Sequence, residues 1–164
     1  SKEKESVNDA VNSYFFESQL ISIEPQRIEQ DQVIRLEQIK GKLKPNCQAL
    51  VIRTLPNLPS KKAMQYSDTN PPYLQKELAI YLREKGIKHL LIDLPSVDKE
   101  VDGGVLAAHH AFWDYPKNSR QDCTITELIF VPQQVKDGNY LLHLSFAPFQ
   151  NDASPSRPVL YSLL

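Results

Sequence analysis

The residues of this 164-residue chain best suited to chemistry are Ala108-His109-His110 and, further on, Glu127. A histidine ring nitrogen and a carboxylate are ordinary ligands for a cation such as zinc. On a helix, His109 lies beside or one turn from Val105, Ala108, Phe112 and Trp113, so its ring meets an apolar, aromatic surface. His110 points about 100° around the helix, and the two rings do not serve one metal. Glu127 falls within residues 125–131, which read as a strand that puts it on the face of Ile125, Ile129 and Val131. An acid in such a strand is expensive to bury unless it pairs or binds a metal. By themselves these residues fit structural roles more readily: a satisfied core histidine, and an acid paired with a lysine or arginine near the strand end. Asp122 is another acid close by.

Two further phrases stand out. Asp93-Leu94-Pro95-Ser96-Val97-Asp98 follows an apolar run, and loops after strands in α/β sheets often border active sites. The plainer role for Ser96 and Asp98 is to organise the turn before the helix, and that role is favoured. Near the C-terminus stands Asp152-Ala153-Ser154-Pro155-Ser156-Arg157-Pro158-Val159-Leu160. Asp152, Ser154 and Pro155 are turn formers, and Arg157 either fixes a carboxylate or pins the loop. Gly103-Gly104 lacks the lysine and spacing of a phosphate loop. There is no G-x-S-x-G elbow. His89 and His143 sit in expected strands and read as structural, facing the surface.

In order, Ile92 to Asp98, Ala108-His109, Glu127, Val131-Pro132 with Gly138 and Tyr140, and Asp152 to Leu160 resemble the cyclase family of metal-dependent hydrolases, which includes bacterial kynurenine formamidases. The resemblance is weak before about Leu50 and strong after His89. It implies a swivelling β/β/α arrangement and hydrolysis of a C–N amide bond by metal-activated water. The substrate would be a formamide such as N-formylkynurenine, of tryptophan catabolism. It makes His109 and Glu127 metal ligands, with zinc the first choice of divalent metal and manganese the second. It implies a homo-oligomer, dimer or tetramer, acting on a small molecule. The family's H-x-G-T-H-x-D-x-P-x-H phrase, with its other ligands and its catalytic histidine, would lie upstream of Ser1. The chain is therefore expected to be a single domain, residues 1–164, forming the C-terminal part of a metallohydrolase. The alternative is a binding or structural homologue that lacks the metal motif. Phe112 and Trp113 suit either an aromatic ligand or a core.

These residues must be positioned by an α/β fold, a mixed sheet layered with helices. Residues 15–23, 48–54, 89–94, 125–131, 139–147 and 158–163 read as strands, with 125–131 and 139–147 joined through Pro132 and the Asp137-Gly138 turn. Residues 31–40 read as a short helix capped by Asp31, and 71–85 as a longer one capped by Asn70, with Leu74, Leu78, Tyr81 and Leu82 buried. Residues 105–113 form the helix that carries His109. Residues 1–12 read as loosely held. The long loop 55–72 is either a lid over the pocket mouth or a surface excursion.

Composition sets the outer bounds. Hydrophobic residues make up 41% and charged residues 24%, as in ordinary globular chains. A net charge of −1 gives no footprint for nucleic acid. No apolar run is long enough to span a membrane, and the cytoplasm is the default location. Cys47 and Cys123 form no metal-binding pair; Cys47 is expected in a strand as a small buried apolar group, and Cys123 is left open.

Overall fold

The run Ala49-Leu50-Val51-Ile52 is apolar at every position, and a strand of that kind must be covered on both faces. In the computed structural model, which describes residues 6–163, it lies at the centre of a six-stranded mixed sheet. The sheet order is β7 (Thr124–Thr126), β6 (His89–Ile92), β4 (Ala49–Thr54), β1 (Phe15–Ile23), β8 (Gly138–Phe146) and β9 (Ser156–Ser162). Strands β1, β4, β6 and β7 run parallel; β8 and β9 complete the sheet antiparallel. A three-stranded sheet joins β2 (Gln26–Ile28), β3 (Asp31–Ile34) and β5 (Tyr73–Leu74). The helices are α1 (Val7–Ala10), α2 (Leu36–Ile39), α3 (Lys76–Glu84) and α4 (Ala107–Trp113). The mixed α/β architecture is the one the sequence implies.

Alternation along the strands splits the core in two. Leu50 and Ile52 of β4, with Leu90 and Ile92 of β6, pack under Leu78 and Leu82 of α3 and Ala108 and Phe112 of α4. Ala49, Val51 and Leu91 face the other way, onto Val11, Phe16, Leu20, Leu142 and Leu144. Phe112 is fully buried, which makes it a core residue.

Several local expectations are corrected. Residues 31–40 do not form one helix. Asp31–Ile34 pairs with β2 and β5, because sheet hydrogen bonds and the burial of Val33 and Ile34 outweigh weak helical spacing. The longer helix begins only at Lys76. Asn70 does not cap it: Asn70 adopts a positive φ of 48° and its side chain donates to Asp31 Oδ1. The 125–131 strand ends at Thr126. Strands β7 and β8 are not neighbours, being separated by β6, β4 and β1. Cys47 precedes β4 instead of lying in it, though it is buried as expected. His89 does not face the surface; it is 2% exposed, packed on Phe16 and bonded to Thr124 Oγ1.

Of the segment 1–12, residues 1–5 lie outside the described residues. The rest is held down: Val11 is buried, Val7 N–H donates to Asn151 O, and Asn8 donates to Phe149 O. Among the described residues, no helix is long and apolar enough to cross a membrane.

Candidate metal-binding site

The C-terminal ends of β4, β6 and β7 point to one edge of the sheet, and the loops that leave them build the site. Asp98 ends the turn after β6. Its carboxylate is 5% exposed and accepts three hydrogen bonds from the start of α4: Ala108 N–H at 2.5 Å, His109 N–H at 3.2 Å and His109 Nδ1–H at 2.6 Å. The preceding residues explain why α4 needs this support. Its N-cap is Leu106, in left-handed conformation and without a capping side chain, so the amides of the first turn take their partner from Asp98. Ser96 Oγ accepts the Asp98 N–H and shapes the turn.

An ionised carboxylate only accepts, so Asp98 obliges His109 Nδ1 to carry the hydrogen. His109 Nε2 then presents its lone pair outward. Opposite it, at 3.5 Å, stands Glu127 Oε1, which also accepts the Val97 N–H at 3.0 Å. With the ring neutral the two atoms meet as acceptors, and with it protonated they form an ion pair. Two ligand atoms bound to one tetrahedral cation at about 2.1 Å each lie about 3.4 Å apart. The spacing fits a shared cation, and the Asp98–His109 bond is the usual way a metal-bound histidine is oriented. No third His, Cys, Asp or Glu joins the pair among the described residues.

Burial lifts Glu127 above the usual carboxylate range; His109 and the Val97 amide pull it back in part, and the Asp98 charge adds to the rise. For Asp98, burial acts upward, but the bonds from His109 and the Ala108 and His109 amides outweigh it and leave the group below its ordinary value. Trp113 closes one side, its ring 5.2 Å from that of His109 and its Nε1–H donating to Cys123 O. His110 turns away and packs on Tyr115.

The sequence placed Glu127 in a strand interior; it lies one residue beyond β7, at the start of a reversal where Leu128 takes a φ of 55°. Among the described residues no lysine or arginine pairs with it. Asp122 is committed to Lys88. Cys123 is buried, and burial pushes its thiol up to about 11, so it is inert. Arg157 is exposed on β9. Asp93, which opens the phrase singled out in the sequence, forms a buried ion pair at the same sheet edge with Lys61, which gave no signal there. A lysine in a polar loop gives no hint that it folds inward.

A family profile described as putative cyclase matches residues 2–99. The match takes in the stretch before Leu50, where the resemblance was expected to be weak, reaches through the Ile92–Asp98 phrase, and stops before His109. A kynurenine formamidase of Bacillus mycoides (strain KBAB4) is 33% identical over 100 residues, covering 60% of this chain and 44% of the relative. This chain therefore spans less than half the length of that relative. A solved structure described as a potential metal-dependent hydrolase with cyclase activity superposes with a TM-score of 0.66 at 16% identity, over 98% of this chain and 69% of the other. An isatin hydrolase bound to the product analogue thioisatinate gives 0.61 at 14% identity, over 87% and 59%. At such identities the structural likeness establishes the fold, while the profile match spans more than half of the sequence: the chain belongs to the putative cyclase family.

Proposed function

We propose that this chain carries part of the site of a metal-dependent hydrolase that cleaves a C–N amide bond, with His109 and Glu127 as two of the metal ligands. One observation carries the reading: His109 Nε2 and Glu127 Oε1 stand 3.5 Å apart, the separation of two ligands on one cation, with Asp98 holding the other ring nitrogen. The names of the relatives, kynurenine formamidase and isatin hydrolase, support hydrolysis as the reaction class. A formamide such as N-formylkynurenine is the substrate proposed, and zinc the metal, because one imidazole and one carboxylate suit it.

When bound, such a cation lowers the pKa of a coordinated water and polarises the carbonyl under attack. The residues of this chain hold the arrangement. Asp98 fixes the His109 tautomer, Val97 N–H fixes the Glu127 carboxylate, and Trp113 keeps water from one side. A zinc site takes about three or four protein ligands, so donors besides these two complete it.

The test is metal content after dialysis, with zinc supplied during expression. His109→Ala and Glu127→Gln are each expected to lose bound zinc and amide hydrolysis together, and His110→Ala to keep both. Full zinc occupancy in the His109→Ala protein refutes the assignment.

A further inference from the structure

The Asp93–Asp98 turn carries both candidate ligands. Leu94 O accepts the Leu128 N–H, Val97 N–H holds Glu127, and Asp98 holds His109. What fixes the turn itself is therefore a question about the site. Its first residue, Asp93, follows β6 directly and has a fully buried side chain. That carboxylate accepts the Thr54 N–H at 3.0 Å, the Thr54 hydroxyl at 2.9 Å and Lys61 Nζ at 2.9 Å. Lys61 is 11% exposed at its side chain. Its ammonium donates also to Thr54 O and Thr54 Oγ1, at 2.8 Å each, so its three hydrogens all have acceptors.

Lys61 stands on a 3-10 turn, Pro59–Ala63, within the long loop that follows β4. The same loop grips the segment after Glu127 from the other side. Asn57 Nδ2 donates to Val131 O at 2.9 Å, and Lys62 Nζ lies 4.6 Å above the Phe130 ring. Thus the loop runs over the surface, exposed along most of its length, but is not a free lid. It is clamped to both stretches of backbone that present His109 and Glu127.

We infer that Lys61 and Asp93 are positioning residues for the His109–Glu127 pair, holding the turn that sets the separation of the two side chains. This rests on the metal-site reading above for its functional meaning, but the mechanical claim stands on the contacts. A buried carboxylate stripped of its counter-ion must find water or another cation. Lys61→Met therefore leaves Asp93 charged with only Thr54 as partner, and the turn opens to hydrate it.

The experiment is native-state amide exchange on the full chain without metal, followed by Zn²⁺ titration. In Lys61→Met, exchange at Val97, His109 and Leu128 is expected to rise about tenfold relative to Leu78 and Leu82 of α3, with Zn²⁺ bound about tenfold more weakly. The double variant Lys61→Met/Asp93→Asn removes the stranded charge and is expected to return the turn amides towards the wild-type rate. It also serves if the single variant does not fold. Exchange that is unchanged, or raised uniformly across α3 and the turn, overturns the positioning role. If the wild-type chain takes up no Zn²⁺, the exchange pattern still decides the role of the ion pair, and the metal reading alone falls.

Discussion

Replacing Asp98 by asparagine tests the site at one pair of atoms. The substitution keeps the volume of a side chain that is 5% exposed and keeps an oxygen for the Ala108 amide, which bonds Oδ1. At Oδ2, which accepts both the His109 amide at 3.2 Å and His109 Nδ1 at 2.6 Å, it substitutes a donor for an acceptor. The ring answers by moving its hydrogen to Nε2, so that Nδ1 accepts from the introduced carboxamide. The hydrogen then points at Glu127 Oε1 and occupies the side on which a cation would bind.

The size of the effect follows from which bonds survive. Losing a carboxylate partner behind a metal-bound histidine costs about 10–100-fold in affinity, or roughly 1.4–2.7 kcal/mol. Metal-free stability falls modestly. The Ala108 amide contact persists, the His109 amide loses its acceptor, and the lost charge-assisted bond, about 1.5–3 kcal/mol, is offset in part by new bonds from the carboxamide to Nδ1 and from Nε2 to Glu127. The assay is Zn²⁺ competition against a chromophoric chelator at pH 7, beside ¹⁵N NMR of the metal-free ring. The expected result is weaker zinc binding, an Nε2–H tautomer and a modestly lowered denaturation midpoint. Unchanged zinc affinity with the Nδ1–H tautomer retained would refute the argument that Asp98 sets the ring.

Two other predictions concern the frame. Burial pushes His89 down to about 4 from 6.5, with Lys88 and Arg120 adding to the fall and Asp122 opposing it. The unfolded chain thus binds a proton that the folded chain refuses between those values; stability is complete above pH 6.5 and lost as pH falls towards 4, by up to roughly 3 kcal/mol. Urea midpoints at pH 7 and 4.5 should show a smaller drop for His89→Leu than for wild type, and equal drops would rule out His89 as the source. Leu128→Gly should raise stability by about 0.5 kcal/mol, because the left-handed φ of an exposed leucine costs about 1–2 kcal/mol and glycine returns part of that as chain entropy. A loss above about 1 kcal/mol on thermal unfolding would show that the leucine side chain makes a contact worth more than the strain.

The central strands were legible because their signal is local: Leu50-Val51-Ile52 and Leu90-Leu91-Ile92 are apolar at successive positions and need cover on both faces. Residues 31–40 were not. Val33, Ile34, Leu36 and Ile39 satisfy a helical spacing, but they satisfy equally well a short strand followed by one turn of helix. The choice is made by Tyr73 and Leu74, which supply a parallel partner from far along the chain. The same distance hides the first turn of α4. Its cap is Asp98, several residues upstream across an irregular loop, where a reading of adjacent residues finds only Leu106.

Glu127 shows how a candidate residue can be picked out for the wrong structural reason. The register of β6 and β7 pairs Leu90 with Ile125 and Leu91 with Thr126, so a continued strand would set Glu127 beside Ile92. Ile92 is fully buried in the apolar layer under α3 and α4. A carboxylate there would lose its hydration with no donor in return, at a cost of several kcal/mol. The chain leaves the strand instead: Leu128 turns to positive φ, its N–H reaches Leu94 O, and Ile129 N–H returns to Ile92 O. The reversal swings Glu127 to the sheet edge, where Val97 N–H and His109 await it. The strained, exposed leucine is thus the local cost of keeping an acid out of the core, and an acid kept half-buried at such a cost faces the imidazole that Asp98 holds towards it.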